Sequence, residues 1–291
     1  MLTNPIYSVP RSFVRWLRGL KSRMEASAIT GAVAALGTSE CPLQTGEQTS
    51  YSQHNEDRIL SSIFGDRSDG TALEVGGFDG VTFSNTYFFE QKGWRTFIVE
   101  PMPEFARKIR SNRKATLFEC AAGSQQGTAS FTVAKGVEAL STLNPTGNQL
   151  KNMQYHGAVL EQIEVPVRTL DDILESAAIP KLDFVTIDVE GHEPDAIAGF
   201  TLSRWNPEIV IVEDGSLGLD LTVRSLMRKK GYRRFMTTGW NDWYAPESDT
   251  RVITAGTVWR DGCRARLSQA LAILEKIGAR LSASGTPPDV R

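Results

Sequence analysis

From residue 51 onward the chain alternates short apolar runs with amphipathic ones, and several of the apolar runs end on an acidic residue. Such runs are too short for helices and read as buried strands, and their regular interleaving with helical periods builds a parallel sheet covered on both faces. The strands predicted this way are Ala72–Val75, Arg95–Glu100, Ala115–Cys120, Gly127–Val133, Leu182–Asp188, Glu208–Glu213, Tyr232–Thr237 and Arg251–Trp259. The intervening helices are predicted over Asn55–Phe64, Ser84–Gln91, Glu104–Ser111, Leu170–Ala177, Asp195–Phe200 and Leu221–Lys230. The fold class is therefore α/β, doubly wound.

The ends of the chain read differently. Within residues 1–50, Arg11 to Met24 form a basic amphipathic helix, with Arg11, Arg15 and Arg18 on one face and Phe13, Trp16, Leu17 and Leu20 on another. The favoured role is docking on protein, and peripheral contact with a membrane through residues 11–24 is the alternative. Residues 37–49 read as a linker. A core domain over 51–260 is followed by a C-terminal helix and tail over 261–291. The longest uncharged run near the N-terminus, Ala26–Ser39, is 14 residues, below the roughly 18 that a spanning helix needs. The basic segment also matches a signal peptide poorly.

The 32 Lys and Arg against 34 Asp and Glu leave a net charge of −2, without the basic excess of most nucleic-acid binders. The three cysteines, Cys41, Cys120 and Cys263, lie far apart, which suits a reducing compartment. The expected location is cytoplasmic, with the inner face of a membrane as the site of any peripheral contact.

In an open α/β sheet, ligands bind beyond the carboxyl ends of the strands. Glu74, Glu100, Asp188 and Glu213 stand there. The Glu74–Gly80 turn has Phe78 where a dinucleotide fingerprint needs its second glycine, and its carboxylates would repel a pyrophosphate. A ligand carrying a sulfonium and an ammonium suits it better, which points to S-adenosylmethionine. Glu100, 26 residues after Glu74, is placed to accept ribose hydroxyls.

These segments, with Ser52-Gln53-His54-Asn55-Glu56-Asp57, Ser84-Asn85-Thr86, Gly93-Trp94, Ile98-Val99-Glu100-Pro101, Arg168-Thr169-Leu170-Asp171-Asp172 and Ile187-Asp188-Val189-Glu190-Gly191-His192-Glu193, resemble the FkbM-type methyltransferases over residues 51–245. The resemblance implies a class I methyltransferase fold. That is a Rossmann-like, mostly parallel seven-stranded sheet, here with N-terminal and C-terminal helical additions. It implies S-adenosylmethionine as cofactor and O-methylation of a sugar, polysaccharide or related natural product. By position it implies that Glu74, Gly76, Phe78 and Gly80 shape the methionine end of the pocket, with Gln53 and Asp57 closing over it. Ser84 and Asn85 would meet the cofactor carboxylate at a helix start, Glu100 and Pro101 the ribose, Ala121 and Ala122 the adenine, and Asp188 the methyl group.

An acceptor hydroxyl needs a base or a metal. Asp188, Glu190 and His192 are the catalytic candidates, His192 because imidazole ordinarily titrates near neutral pH. Catechol-type enzymes hold Mg²⁺ with carboxylates after neighbouring strands, and Asp188, Glu213 and Asp214 could do so here by oxygen ligation. Trp240, Asn241, Trp243 and Tyr244 are read as a patch for sugar faces, against core packing as the alternative. The expected partner is a small-molecule or glycan acceptor, with a homo-oligomer also compatible. Competing readings are N- or C-methylation of a small metabolite and a non-catalytic binding module of the same fold.

Overall fold

A computed structural model describes residues 50–179, 181–216 and 220–251. The segments expected as a basic helix (residues 11–24), a linker (37–49) and a C-terminal helix and tail (261–291), and all of the expected strand Arg251–Trp259 except its first residue, lie outside these.

Among the described residues the elements run α1 (Glu56–Phe64), β1 (Thr71–Val75), α2 (Tyr87–Gln91), β2 (Arg95–Val99), α3 (Pro103–Asn112) and β3 (Thr116–Phe118). An inserted unit follows: β4 (Ala121–Ala122), β5 (Gly127–Lys135), a 3₁₀ turn at Glu138–Leu140, β6 (Thr142–Leu143), α4 (Gly147–Tyr155) and β7 (Val159–Arg168). The chain then resumes with α5 (Leu170–Ser176), β8 (Phe184–Ile187), α6 (Glu193–Ala198), α7 (Leu202–Trp205), β9 (Ile209–Glu213), α8 (Thr222–Lys229), β10 (Tyr232–Thr238) and β11 (Asn241–Pro246).

Seven strands form one sheet in the order β10-β11-β9-β8-β1-β2-β3. The pairs from β9 through β3 are parallel, and β11 enters antiparallel between β9 and β10. This is the doubly wound, mostly parallel seven-stranded sheet expected. The order reverses at β1, so the crevice of the switch point opens above β1 and β8. Strand periodicity divides the core. Leu73, Val75, Phe97, Val99, Val185 and Ile187 face Leu170, Ile173, Ala196 and Ile197 on one side. Ala72, Phe184 and Ile211 face Leu60, Phe64, Phe88 and Phe89 on the other.

Among the described residues the last strand of this sheet is Asn241–Pro246, and Arg251, the first residue of the expected strand Arg251–Trp259, is helical. Gly239 (φ +49) turns β10 straight back on itself into a hairpin with β11. The insertion was also legible only as one strand or hairpin arm. It forms a second sheet, β4-β7-β5-β6, whose Phe131, Val133, Leu143 and Val165 pack on Met102 and Phe105. No helix among the described residues is long and apolar enough to cross a membrane.

Candidate active site

A cavity of about 480 Å³ opens over the carboxyl edge of the parallel strands, within the size range of small-molecule sites. The turn after β1 forms its floor. Gly76 has φ +91, and a Cβ there would lie 1.8 Å from the carbonyl oxygen of Asp188, so only glycine lets the two strand ends meet this closely. Phe78, also at positive φ, donates its N–H to Glu100 Oε2 at 3.0 Å, while Met102 N–H donates to Glu100 Oε1 at 2.8 Å. Glu100 thus bridges the turns after β1 and β2. Burial pushes its pKa up to about 7, against the pull of the Met102, Phe78 and Gly77 backbone donors.

Glu74 is held from beneath. Its Oε2 accepts from Ser84 Oγ at 2.7 Å and Thr86 Oγ1 at 2.6 Å, and its Oε1 accepts from Asn85 N–H at 2.8 Å. Arg113, fully buried, donates to the Gly80 carbonyl at 2.6 Å, Ser84 Oγ at 3.2 Å, Thr86 Oγ1 at 3.0 Å and Glu90 Oε2 at 3.0 Å. Asn85 lines the cavity, and its side-chain Oδ1 is buried without a hydrogen-bond partner among the described residues.

The segment after β8 brings carboxyls together. One side-chain oxygen each from Asp188, Glu193 and Glu213 falls within 4.8 Å of the others. Asp188 and Glu213 share a hydrogen bond. Asp188 is open to the cavity but ringed by protein, and this enclosure raises its pKa despite the bond from Glu213, with the charge of Glu74 adding to the rise. Glu213 is also raised, by burial and then by the charges of Asp188 and Glu190. Glu193 Oε1 accepts from Val189 N–H at 3.1 Å and Gly191 N–H at 2.9 Å, and burial lifts its pKa to about 7. Glu190 is raised by burial and by the Asp188 and Glu193 charges. His192 Nε2 lies 2.9 Å from Asp195 Oδ2, one turn along α6.

Of the residues expected at the site, the cavity brings together Gln53, Glu74, Gly76, Phe78, Asn85, Glu100, Pro101, Ala121, Ala122, Asp188, Glu190, His192, Glu213 and Trp240. Others stand elsewhere. Asp57 is buried, accepting from Ser50 Oγ, Tyr51 N–H and Ser52 Oγ, and so anchors the segment that carries Gln53 instead of closing over the pocket. Gly80 lies against Arg113, where a Cβ would come within 2.9 Å of its Cγ. Ser84 sits in the Glu74 network. Its Oγ already accepts from Thr86 and Tyr87 N–H at 3.3 and 3.1 Å, so those helix-start donors are not left for a cofactor carboxylate.

Asp214 accepts from Ser216 N–H and Oγ and faces Arg224 at 3.5 Å, so Glu193 takes the place in the carboxyl cluster expected of Asp214. The aromatic patch divides as well. Trp240 reaches the cavity, but Trp243 and Tyr244 are 0% and 1% exposed within β11, and Asn241 Nδ2 donates to the buried Glu56 at 2.9 Å. Alternation along the strand sends Trp243 and Tyr244 to opposite faces of the sheet, and both faces are covered.

Sequence reasoning missed Arg113, Glu193, Phe83 and the wall supplied by the insertion, which includes Phe131, Leu140, Leu143 and Asn152. Arg113 reads as a solvated helix end. Glu193 carried a signal, since it lies within the quoted Asp188–Glu193 segment.

A doubly wound sheet of this order, with an acid-lined cleft and a glycine turn at its switch point, is the architecture of the class I methyltransferases. The family model for the methyltransferase FkbM domain matches residues 74–234, and the chain belongs to this family. It is 29% identical over 143 residues to a 2-O-methyltransferase, NoeI, of Sinorhizobium fredii, covering 46% of this chain and 58% of that relative. Among solved structures, the precorrin-6y C5,15-methyltransferase of Geobacter metallireducens aligns with a TM-score of 0.36 and 14% identity, over 68% of this chain and 92% of that one.

Proposed function

We propose that the protein is an S-adenosylmethionine-dependent O-methyltransferase acting on a hydroxyl of a sugar, polysaccharide or related natural product. The observation that carries this reading is the donor set of the cavity. Glu100 and Glu74 stand at the strand ends, and the buried Asn85 Oδ1 is an acceptor without a donor among the described residues. A ligand with ribose hydroxyls, an ammonium and no phosphate satisfies that set. Glu100 would hold the ribose and Asn85 Oδ1 the ammonium, while Ala121 and Ala122 leave room for the base. When bound, S-adenosylmethionine supplies an electrophilic methyl group.

The remaining tasks fall to the chain's own residues. His192 takes the acceptor's proton on the nitrogen that Asp195 does not engage, and the Asp195 carboxylate orients the ring and stabilises its charge. Asp188, hydrogen-bonded to Glu213, offers an acceptor hydroxyl a fixed hydrogen-bond partner. If a divalent cation takes part, Asp188, Glu193 and Glu213 are the residues that would hold it. O-methylation is supported by the 2-O-methyltransferase relative.

The test is calorimetric titration of S-adenosylmethionine and S-adenosylhomocysteine into the full chain, wild type beside Glu100→Ala. A glycan panel is then screened for S-adenosylhomocysteine release, with EDTA and with added Mg²⁺. Binding that weakens by roughly 1–3 kcal/mol in the variant supports the cofactor site. A folded wild type that binds neither ligand refutes the reading.

A further inference from the structure

Gln149 belongs to the inserted unit, yet its side chain reaches the loop that carries Glu190 and His192. Its Oε1 accepts from Thr146 N–H at 2.8 Å and Thr146 Oγ1 at 3.0 Å, closing a capping box at the start of α4. Its Nε2 donates to the backbone carbonyl of Glu190 at 2.7 Å. Both ends of the amide are therefore committed, one to the insertion and one to the loop.

The loop is built for this contact. Glu190 has φ +56 and Gly191 φ +95, and a Cβ on Gly191 would lie 2.3 Å from Gln149 Nε2. Thr142 Oγ1 adds a second bond from the insertion, to the Val189 carbonyl at 3.1 Å. From the other side Glu193 holds the Val189 and Gly191 N–H groups. The backbone leading to His192 is thus gripped between its own helix and the insertion. One turn after Gln149 on the same helix, Asn152 lines the cavity.

We propose that Gln149 is a positioning residue. It couples the inserted wall, which an acceptor would touch through Asn152, to the segment that carries His192. This rests on reading the cleft as the methyl-transfer site. An acceptor pressing on α4 then shifts the Glu190 carbonyl through one rigid amide, so recognition and the placement of the base are set together.

The test separates positioning from helix capping. The chain has three histidines, and they report on different places. His192 sits on the loop, His156 caps the C-terminal end of α4, and His54 packs on Gly239. Imidazole resonances of labelled full-length protein are compared for wild type, Thr146→Ala, Gln149→Ala and Gln149→Glu near pH 7.5, with His192→Asn giving the assignment. Thr146→Ala should move His156 and leave His192 in place. Gln149→Ala should move both. Gln149→Glu keeps the capping oxygen but puts an oxygen against the Glu190 carbonyl, so His192 should shift and broaden while His156 holds.

An unmoved His192 in Gln149→Glu, or a His192 that follows His156 in every variant, overturns the proposal. The His54 signal checks that each variant is folded. S-adenosylhomocysteine titration in parallel distinguishes the two failures. A wild type that does not bind it defeats the methyl-transfer reading, while the resonance pattern still decides whether Gln149 sets the loop. In turnover, Gln149→Glu should lower kcat by about ten- to a hundredfold with an unchanged KM for S-adenosylmethionine.

Discussion

Replacing Arg113 with methionine should destabilise the fold by breaking a buried ion-pair network. The guanidinium is 0% exposed and sits between Glu74 and Glu90, which are 5% and 9% exposed. It lies 3.6 Å from Glu74 Oε2 and 3.0 Å from Glu90 Oε2, and it also satisfies the Gly80 carbonyl and two hydroxyls. Methionine fills most of the volume, so the loss is electrostatic. Two carboxylates keep their other donors but lose their countercharge in the interior, and the Gly80 carbonyl loses its donor. Removing one partner of a buried ion pair costs about 3–5 kcal/mol. For a domain of this size each kcal/mol lowers Tm by roughly 2–4 °C, so the fall should be about 6–20 °C.

The assay is urea or thermal unfolding of the full chain, followed by circular dichroism and tryptophan fluorescence. Adding Glu90→Gln to Arg113→Met should recover part of the loss, because one stranded charge is gone. Cofactor binding should fall as well, since the Ser84–Thr86 turn places Asn85. A variant within about 1 kcal/mol of wild type would show that the network tolerates an unpaired charge and would refute the reasoning.

Three further outcomes follow from the site. Glu100 has its pKa raised to about 7, and ribose hydroxyls would donate to its charged form, so the affinity for S-adenosylhomocysteine should weaken as pH falls below about 7. The limiting slope is about tenfold per pH unit, and Glu100→Gln should flatten it, as titration calorimetry across pH 5.5–8.5 will show. The same shift makes Glu100 favour the folded ligand-free state most fully below its unfolded pKa, near 4.5, and that contribution is lost as pH rises through about 7. Urea unfolding of the ligand-free protein should therefore give Glu100→Gln a smaller decline in stability over that window than wild type. Trp243→Ala should cost about 3–5 kcal/mol in unfolding free energy, while Trp240→Ala should stay within about 1 kcal/mol and instead alter acceptor turnover, because only Trp240 borders the cavity.

The sequence by itself determined the sheet and one half of the cleft. Short apolar runs that alternate with helical periods admit one kind of packing, and each strand end is a local feature, so Glu74, Glu100 and Asp188 were legible along with Gly76, whose glycine the close approach of Asp188 demands. Tertiary structure decided what depends on partners distant in sequence. Asn241–Tyr244 look alike as surface aromatics or as a core strand, and only pairing with Ile209–Glu213 buries them. The Ser84–Thr86 turn looks like an anion site until Glu74 and Arg113 are seen to occupy it. The inserted wall has weak periodicity of its own, because long stretches of β5 and β7 are exposed or half-buried and only Phe131, Val133 and Val165 on them pack deeply with Met102 and Phe105. Gln149 and Glu190 are 41 residues apart, and no local pattern records that the amide of one meets the carbonyl of the other.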